Sequence, residues 1–60
     1  MKIELRTASG YTSIVASQVP EEKKCSALQY SARVYLGNAK IDYSTLTATN
    51  SAGDSVRVIQ

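Results

Sequence analysis

The sequence predicts a small α+β domain, in which an antiparallel sheet of four or five strands packs with one helix starting at Pro20. Three features of the 60-residue chain lead to this prediction. Polar and apolar residues alternate over residues 2–7, a Pro-Glu-Glu sequence opens a helix at Pro20, and β-branched residues are frequent after residue 40. The alternative architecture is an all-β small barrel with only a helical turn at Pro20.

The length of the chain limits it to one small domain over residues 1–60. A chain of this size buries only about 60% of the surface that its unfolded form exposes. A single cysteine, Cys25, excludes an intrachain disulfide, and the absence of histidine removes zinc sites of the Cys/His kind. Since self-association is the remaining way to bury more area, we expect a homodimer.

The first two strands are predicted to form a hairpin. Residues 2–7 alternate with the period of two that a half-buried strand requires. Ser-Gly at 9–10 is a turn signal, and residues 11–18, YTSIVASQ, are rich in β-branched and hydroxyl side chains. Residues 43–50, YSTLTATN, repeat the same kinds of residue in the same order. We therefore expect two similar strands.

The helix is expected to begin at Pro20, because proline suits the first helical position and acidic residues follow it in the first turn. Its end has two interpretations. A strand would place every second residue from Leu28 to Leu36 on one face, followed by a Gly37-Asn38 hairpin turn. A helix would place Gly37 at its C-terminal cap and form one apolar stripe, comprising Cys25, Leu28, Ala32, Tyr35 and Leu36. We expect a helix to about residue 29, and the pattern of residues 30–36 fits both a helix and a strand.

The last third of the chain is predicted to add further strands. Residues 40–49 are strand-like, and residues 50–54, NSAGD, have the composition of a loop. Val56, Val58 and Ile59 indicate a final short strand. The whole pattern is that of a hairpin, a helix and a second group of strands.

The repeated pattern predicts a binding surface on the sheet. If both copies are extended, Ile14 and Ala16 share an apolar face with Thr12, and the opposite face of each copy carries a tyrosine and hydroxyl groups. Tyrosine offers a large contact area at low entropic cost, and interfaces favour it. Arg6 and Arg57 are expected to border this surface. The predicted partner-binding residues are Tyr11, Ser13, Tyr43, Thr45, Arg6 and Arg57.

Nothing in the sequence points to catalysis, so we do not expect an enzyme. Histidine, the commonest general base, is absent, and no two carboxylates have a spacing that suggests acid–base chemistry. Lys23 and Lys24 beside Cys25 would favour a reactive thiolate, but we interpret Cys25 as a small buried residue of the helix. Neither a phosphate loop nor a calcium loop is present, and we expect no cofactor and no metal.

The predicted function is that of a non-catalytic binding protein that acts on a protein partner as an inhibitor or regulator, of the kind that phages and mobile elements encode. The alternative is a small nucleic-acid-binding protein that uses the same sheet face, with tyrosines stacking on bases. Its basic residues on predicted strands would be Lys2, Arg6, Arg33, Lys40 and Arg57. The net charge of +2 permits this alternative without favouring it. No segment is apolar enough to span a membrane, and a lone cysteine suggests a reducing compartment, so we expect a cytoplasmic protein.

Overall fold

The strands form one open antiparallel sheet in a computed structural model that describes all 60 residues. Their spatial order is β2-β1-β5-β4-β3, so β2 and β3 are the two edges. The five strands are β1 (Lys2–Arg6), β2 (Thr12–Ala16), β3 (Lys40–Asp42), β4 (Thr47–Thr49) and β5 (Ser55–Ile59). The predicted α+β class is confirmed, and the barrel alternative is wrong because the sheet does not close.

A helical segment, residues 21–36, connects β2 to β3 and changes its winding along its length. Pro20 takes the N-cap position, and a 3-10 turn at Glu21–Lys23 follows it. The α-helix α1 spans Lys24–Ser31, and a π-helical turn spans Ala32–Leu36. Residues 30–36, which the sequence left open between helix and strand, are therefore helical.

The π-helical turn keeps the apolar stripe of the helical segment directed at the sheet. Leu28, Ala32 and Leu36 are spaced by four residues, and all three are buried. On an α-helix each four-residue step turns about 40° too far, and the wider π turn, with its i→i+5 bonding, reverses this drift. Two residues predicted for the stripe, Cys25 and Tyr35, are instead exposed, so that part of the prediction is wrong.

One face of the sheet and the helical segment enclose the core. Across β1 and β5, Ile3 is paired with Val58 and Leu5 with Val56, so these four side chains share the face beneath the helical segment. The buried core contains seven hydrophobic residues, which are Ile3, Val19, Leu28, Ala32, Leu36, Ala48 and Val56. We call the opposite side of the sheet, which has no covering layer, the open face.

A β-bulge between β1 and β2 reverses one expected orientation. Ile3 is paired with Ala16 but Glu4 is paired with Ile14, so Val15 is an extra residue on β2. Ala16 therefore lies on the helix side with Ile3, whereas Ile14 lies on the open face with Glu4 and is 48% exposed. The prediction that Ile14 and Ala16 share one apolar face is wrong.

The second copy of the repeated pattern is only partly extended. The Asp42 Oδ1 atom accepts hydrogen bonds from the Ser44 backbone N–H at 3.0 Å and from the Ser44 hydroxyl at 2.6 Å. Such local bonds stabilise a turn in place of a sheet ladder. Residues 43–46 accordingly form a turn, and Leu46 has a positive φ of 55°. The single strand expected over residues 40–49 is therefore wrong, because the turn divides it into β3 and β4.

Candidate functional site

The two tyrosines of the repeated pattern lie at opposite corners of the sheet. Tyr11 precedes the edge strand β2, beside the end of β1, and Tyr43 follows the other edge strand, β3, at the opposite end of the sheet. Four spacings of about 4.8 Å between neighbouring strands separate the two edges by roughly 19 Å. Tyr11 and Tyr43 are both exposed but cannot form one continuous contact patch.

The other four sequence-predicted contact residues also divide between surfaces. Ser13 is half-buried on the helix side, where it is paired with Leu5. Thr45 lies in the turn that joins β3 to β4, and its hydroxyl oxygen is 2.8 Å from that of Thr47. Only Arg6 and Arg57 come together, as diagonal neighbours on the open face of β1 and β5. The common face expected for all six residues is not formed, and their contact with a partner stays a prediction.

The open face is polar and weakly positive. Its charged side chains are Lys2, Glu4, Arg6, Lys40, Asp42 and Arg57. The Arg57 Nε atom is 3.2 Å from the Glu4 Oε1 atom, so one of the four basic groups is already paired within the chain. None of the tyrosines lies on a strand. The open face can contact phosphate groups, but it has no aromatic platform for bases.

Several exposed apolar residues lie on the helical segment. Tyr30 is 66% exposed, Val34 is 53% exposed and Tyr35 is 46% exposed, which makes them three of the six exposed large hydrophobic residues. Tyr30 and Val34 are four residues apart and therefore neighbours on one side of the helix. We call Tyr30, Val34 and Tyr35 the aromatic helix surface. Tyr30 and Val34 lie on the side away from the buried stripe, whereas Tyr35, adjacent to buried Leu36, lies at its flank.

Arg33 adds a positive charge beside the aromatic helix surface. Its side chain is exposed, and it takes part in neither of the two ion pairs of the chain. Arg33 lies in the π-helical turn and not on a strand with the other basic residues, as the nucleic-acid alternative required. The aromatic helix surface was missed because residues 30–36 were left open between helix and strand. A signal was present, since continuing the helix to Gly37 directs Tyr30 and Val34 away from the apolar stripe.

Two surface groups have altered ionisation. Hydrogen bonds from Ser44 hold the pKa of Asp42 below its ordinary value. The hydrogen bond and charge of Glu21 raise the pKa of Lys24, whose Nζ atom is 2.8 Å from the Glu21 carboxylate. Both arrangements are exposed, and each stabilises a local turn: the β3–β4 turn for Asp42 and the first helical turn for Lys24.

Other features of the surface give no additional site. The chain has no pocket, and no cluster of three or more His, Cys, Asp or Glu side chains could hold a metal ion. None of its helices has the length and apolar character needed to cross a membrane. Comparison with protein-family models, with curated proteins and with solved structures gives no match to this chain. Its function is therefore inferred from the surfaces described above.

Proposed function

We propose that this chain is a non-catalytic binding protein that acts on a protein partner, as an inhibitor or regulator, through the aromatic helix surface. The observation that supports this proposal is the exposure of Tyr30, Val34 and Tyr35 on the side of the helical segment that the fold does not use. Contiguous exposed apolar groups with a polar rim mark interaction sites. Tyrosine is enriched at the centres of protein interfaces because its ring buries a large area and its hydroxyl finds a polar partner.

The geometry favours a partner with an apolar groove. Tyr30 and Val34 at positions i and i+4 have the spacing with which a helix inserts its anchors into such a groove. Tyr35, exposed in the π-helical turn and adjacent to Val34 in sequence, would widen the contact. The partner would thus be recognised by shape and apolar contact along about one and a half helical turns.

The charge of Arg33 favours a partner whose groove has an acidic rim. The Arg33 guanidinium has no carboxylate partner within the chain. A guanidinium can form two parallel hydrogen bonds with one carboxylate, which adds both affinity and orientation. We therefore expect Asp or Glu at the partner's groove margin, next to the pocket that receives Val34.

The test is capture of the partner by matched variants. Tagged wild-type protein is incubated with an extract of the native host, and retained proteins are identified by mass spectrometry. The Tyr30→Ser/Val34→Ser variant should retain at least tenfold less of the partner, because two of the proposed anchors are removed. Each replaced side chain is exposed, so its removal should change folding stability by only about 0.5 kcal/mol. Tyr11→Ser/Tyr43→Ser is the matched control and should retain it.

The same comparison can overturn the assignment. If a protein retained by the wild type is lost with Tyr11→Ser/Tyr43→Ser but kept by Tyr30→Ser/Val34→Ser, the corners of the sheet make the contact. A protein retained equally by the wild type and by both double variants does not bind through Tyr11, Tyr43, Tyr30 or Val34. Direct titration of the purified partner with the same variants then gives the loss in affinity that the capture indicates.

A second candidate function, nucleic-acid binding, is favoured by the four basic residues of the open face. Lys2, Arg6 and Lys40 have no ion-pair partner there. Affinity for single strands falls with salt at a log–log slope of about −0.7 for each phosphate contact. Arg6→Gln should then reduce the slope by about that amount, whereas Tyr30→Ser should leave it unchanged. Absence of any retention on single-stranded DNA and RNA at low salt would remove this candidate.

A further inference from the structure

The two edges of the sheet differ in how they resist pairing with another strand. Edge strands are commonly protected by shortness and by charged side chains. The edge strand β3 has three residues and carries Lys40 and Asp42. The edge strand β2 has five residues, TSIVA, and no charged residue occurs between Arg6 and Glu21. Only one edge of the sheet is therefore protected by charge.

The backbone groups of β2 are arranged for a further strand. The Thr7 N–H donates to the Tyr11 carbonyl at 2.8 Å, so the backbone of Tyr11 is directed at the end of β1. Backbone groups alternate in direction along an antiparallel strand. Thr12 and Ile14 consequently direct their N–H and C=O groups outward, away from β1. These groups are the donors and acceptors that an added strand would use.

We propose that β2 pairs with β2 of a second copy of this chain, antiparallel and across a two-fold axis at Ile14, so that the two sheets join into one. In this register Ile14 is opposite its own copy on the open face, and the bulge at Val15 limits regular pairing to the residues next to the axis. No charged side chain opposes another, because the strand has none. Such self-complementarity is what a two-fold interface requires.

The exposed side chain of Ile14 supports the same register. Ile14 is 48% exposed on the open face, where its intrachain neighbour is Glu4. Pairing two copies brings the two isoleucines together across the axis, and aliphatic cross-strand pairs stabilise a sheet. Additional buried apolar area would stabilise the chain, since its buried core has only seven hydrophobic residues, two of them alanine.

The size of the contact predicts a weak dimer. A five-residue edge buries less than the roughly 1,000 Å² that stable interfaces exceed, so we expect a dissociation constant between about 10 μM and 1 mM. The helical segments of both copies would lie on one side of the joined sheet, because a continuous sheet keeps its faces. Self-association thus leaves the aromatic helix surface available and does not depend on the proposed partner.

Sedimentation equilibrium across that concentration range tests the proposal. The mass of the wild-type protein should rise from monomer toward dimer, and Ile14→Lys should remain monomeric because two ammonium groups would meet at the axis. The Ile14→Lys variant should keep its fold, because residue 14 is half exposed and the new charge lies opposite Glu4. Tyr30→Lys, which adds the same charge on the helix, should associate as the wild type does. A wild-type monomer at every concentration would overturn the proposal.

Amide hydrogen exchange identifies the edge that pairs. The Ile14 amide proton should exchange at least tenfold more slowly in a sample that is mostly dimer than in a dilute one. The Ser13 amide, whose backbone is directed at β1, should be protected at both concentrations. If the Ile41 amide of β3 gains protection instead, the dimer forms through the other edge and the β2 assignment is wrong.

Discussion

The carboxylate of Asp54 accepts a hydrogen bond from the backbone N–H of Ala8, with 2.9 Å between the Asp54 Oδ1 atom and the nitrogen. This bond joins the β1–β2 turn to the β4–β5 loop across 46 residues of sequence. The two segments approach closely there, since a Cβ atom on Gly53 would lie 3.2 Å from that of Ala8. The contact holds together the ends of β1 and β5, the two strands that carry most of the buried sheet face.

Removal of the Asp54 carboxylate should weaken the fold. We expect Asp54→Ala to lower the free energy of unfolding by about 1–2 kcal/mol, because the Ala8 N–H loses its acceptor. Asp54→Asn keeps an Oδ1 acceptor and should lose less than half as much. Urea unfolding followed by circular dichroism measures both. Equal losses in the two variants would show that the charge, and not the hydrogen bond, stabilises this end of the sheet.

The turn at Asp42 should be visible in its titration. Ser44 donates two hydrogen bonds to the ionised carboxylate, so we expect the pKa of Asp42 in the folded protein to lie below the ordinary value of about 3.9. A lowered folded-state pKa means that this group stabilises the fold at neutral pH. That stabilisation is lost as the pH falls through the folded-state pKa.

Carboxyl-carbon NMR shifts followed from neutral to acid pH measure the Asp42 pKa directly. Ser44→Ala removes the hydroxyl donor and should raise the pKa of Asp42 toward its ordinary value. Tyr43→Phe changes the adjacent residue without removing a donor to Asp42 and should leave the midpoint in place. An unchanged midpoint in Ser44→Ala would contradict the assigned cause.

Leu28 should be indispensable to folding. Its side chain, on α1, is fully buried in the core, and a Leu→Ala change at such a site costs about 2–5 kcal/mol. A chain of this length has about 3–5 kcal/mol of net stability. Leu28→Ala should therefore abolish the cooperative thermal transition in circular dichroism, whereas Tyr30→Ala, two residues away and exposed, should retain it. A cooperative transition in Leu28→Ala would mean that the core is larger than described.

Gly37 should not tolerate a side chain. Its φ of 67° and ψ of −111° lie outside the regions open to other residues, although a Cβ atom would meet nothing within 4 Å. The cost of Gly37→Ala is thus a backbone cost, about 1–3 kcal/mol. Gly37→Asn should lose a similar amount, because the ψ value is also outside the left-handed helical region that asparagine tolerates. Urea midpoints of both variants that equal the wild type's would contradict this geometry.

The strands β1 and β5 were predictable because each alternates between one buried and one open face. The end of the helix was not, since every second residue from Leu28 to Leu36 is apolar or aromatic and this spacing also contains the four-residue stripe of a helix. Gly37 was the stronger indication of a helix end, and its positive φ shows why a glycine follows Leu36.

The candidate site was harder to predict because it depends on features that leave little trace in the sequence. The bulge at Val15 decides which side chains of β2 reach the open face. The Asp42–Ser44 turn removes Tyr43 from the sheet, although Asp-x-Ser could have indicated it. Strand order then places Tyr11 and Tyr43 on different edges, and strand order follows from long-range pairing that no local pattern fixes.

The most direct test of the proposed function is a chemical-shift map of the isotope-labelled protein titrated with its purified partner. We predict that the largest changes in backbone amide shifts occur at Tyr30, Arg33, Val34 and Tyr35, with those of Arg6 and Arg57 on the open face unchanged. Changes confined to the open face or to the sheet corners at Tyr11 and Tyr43, with the helical segment unaffected, would contradict the proposal.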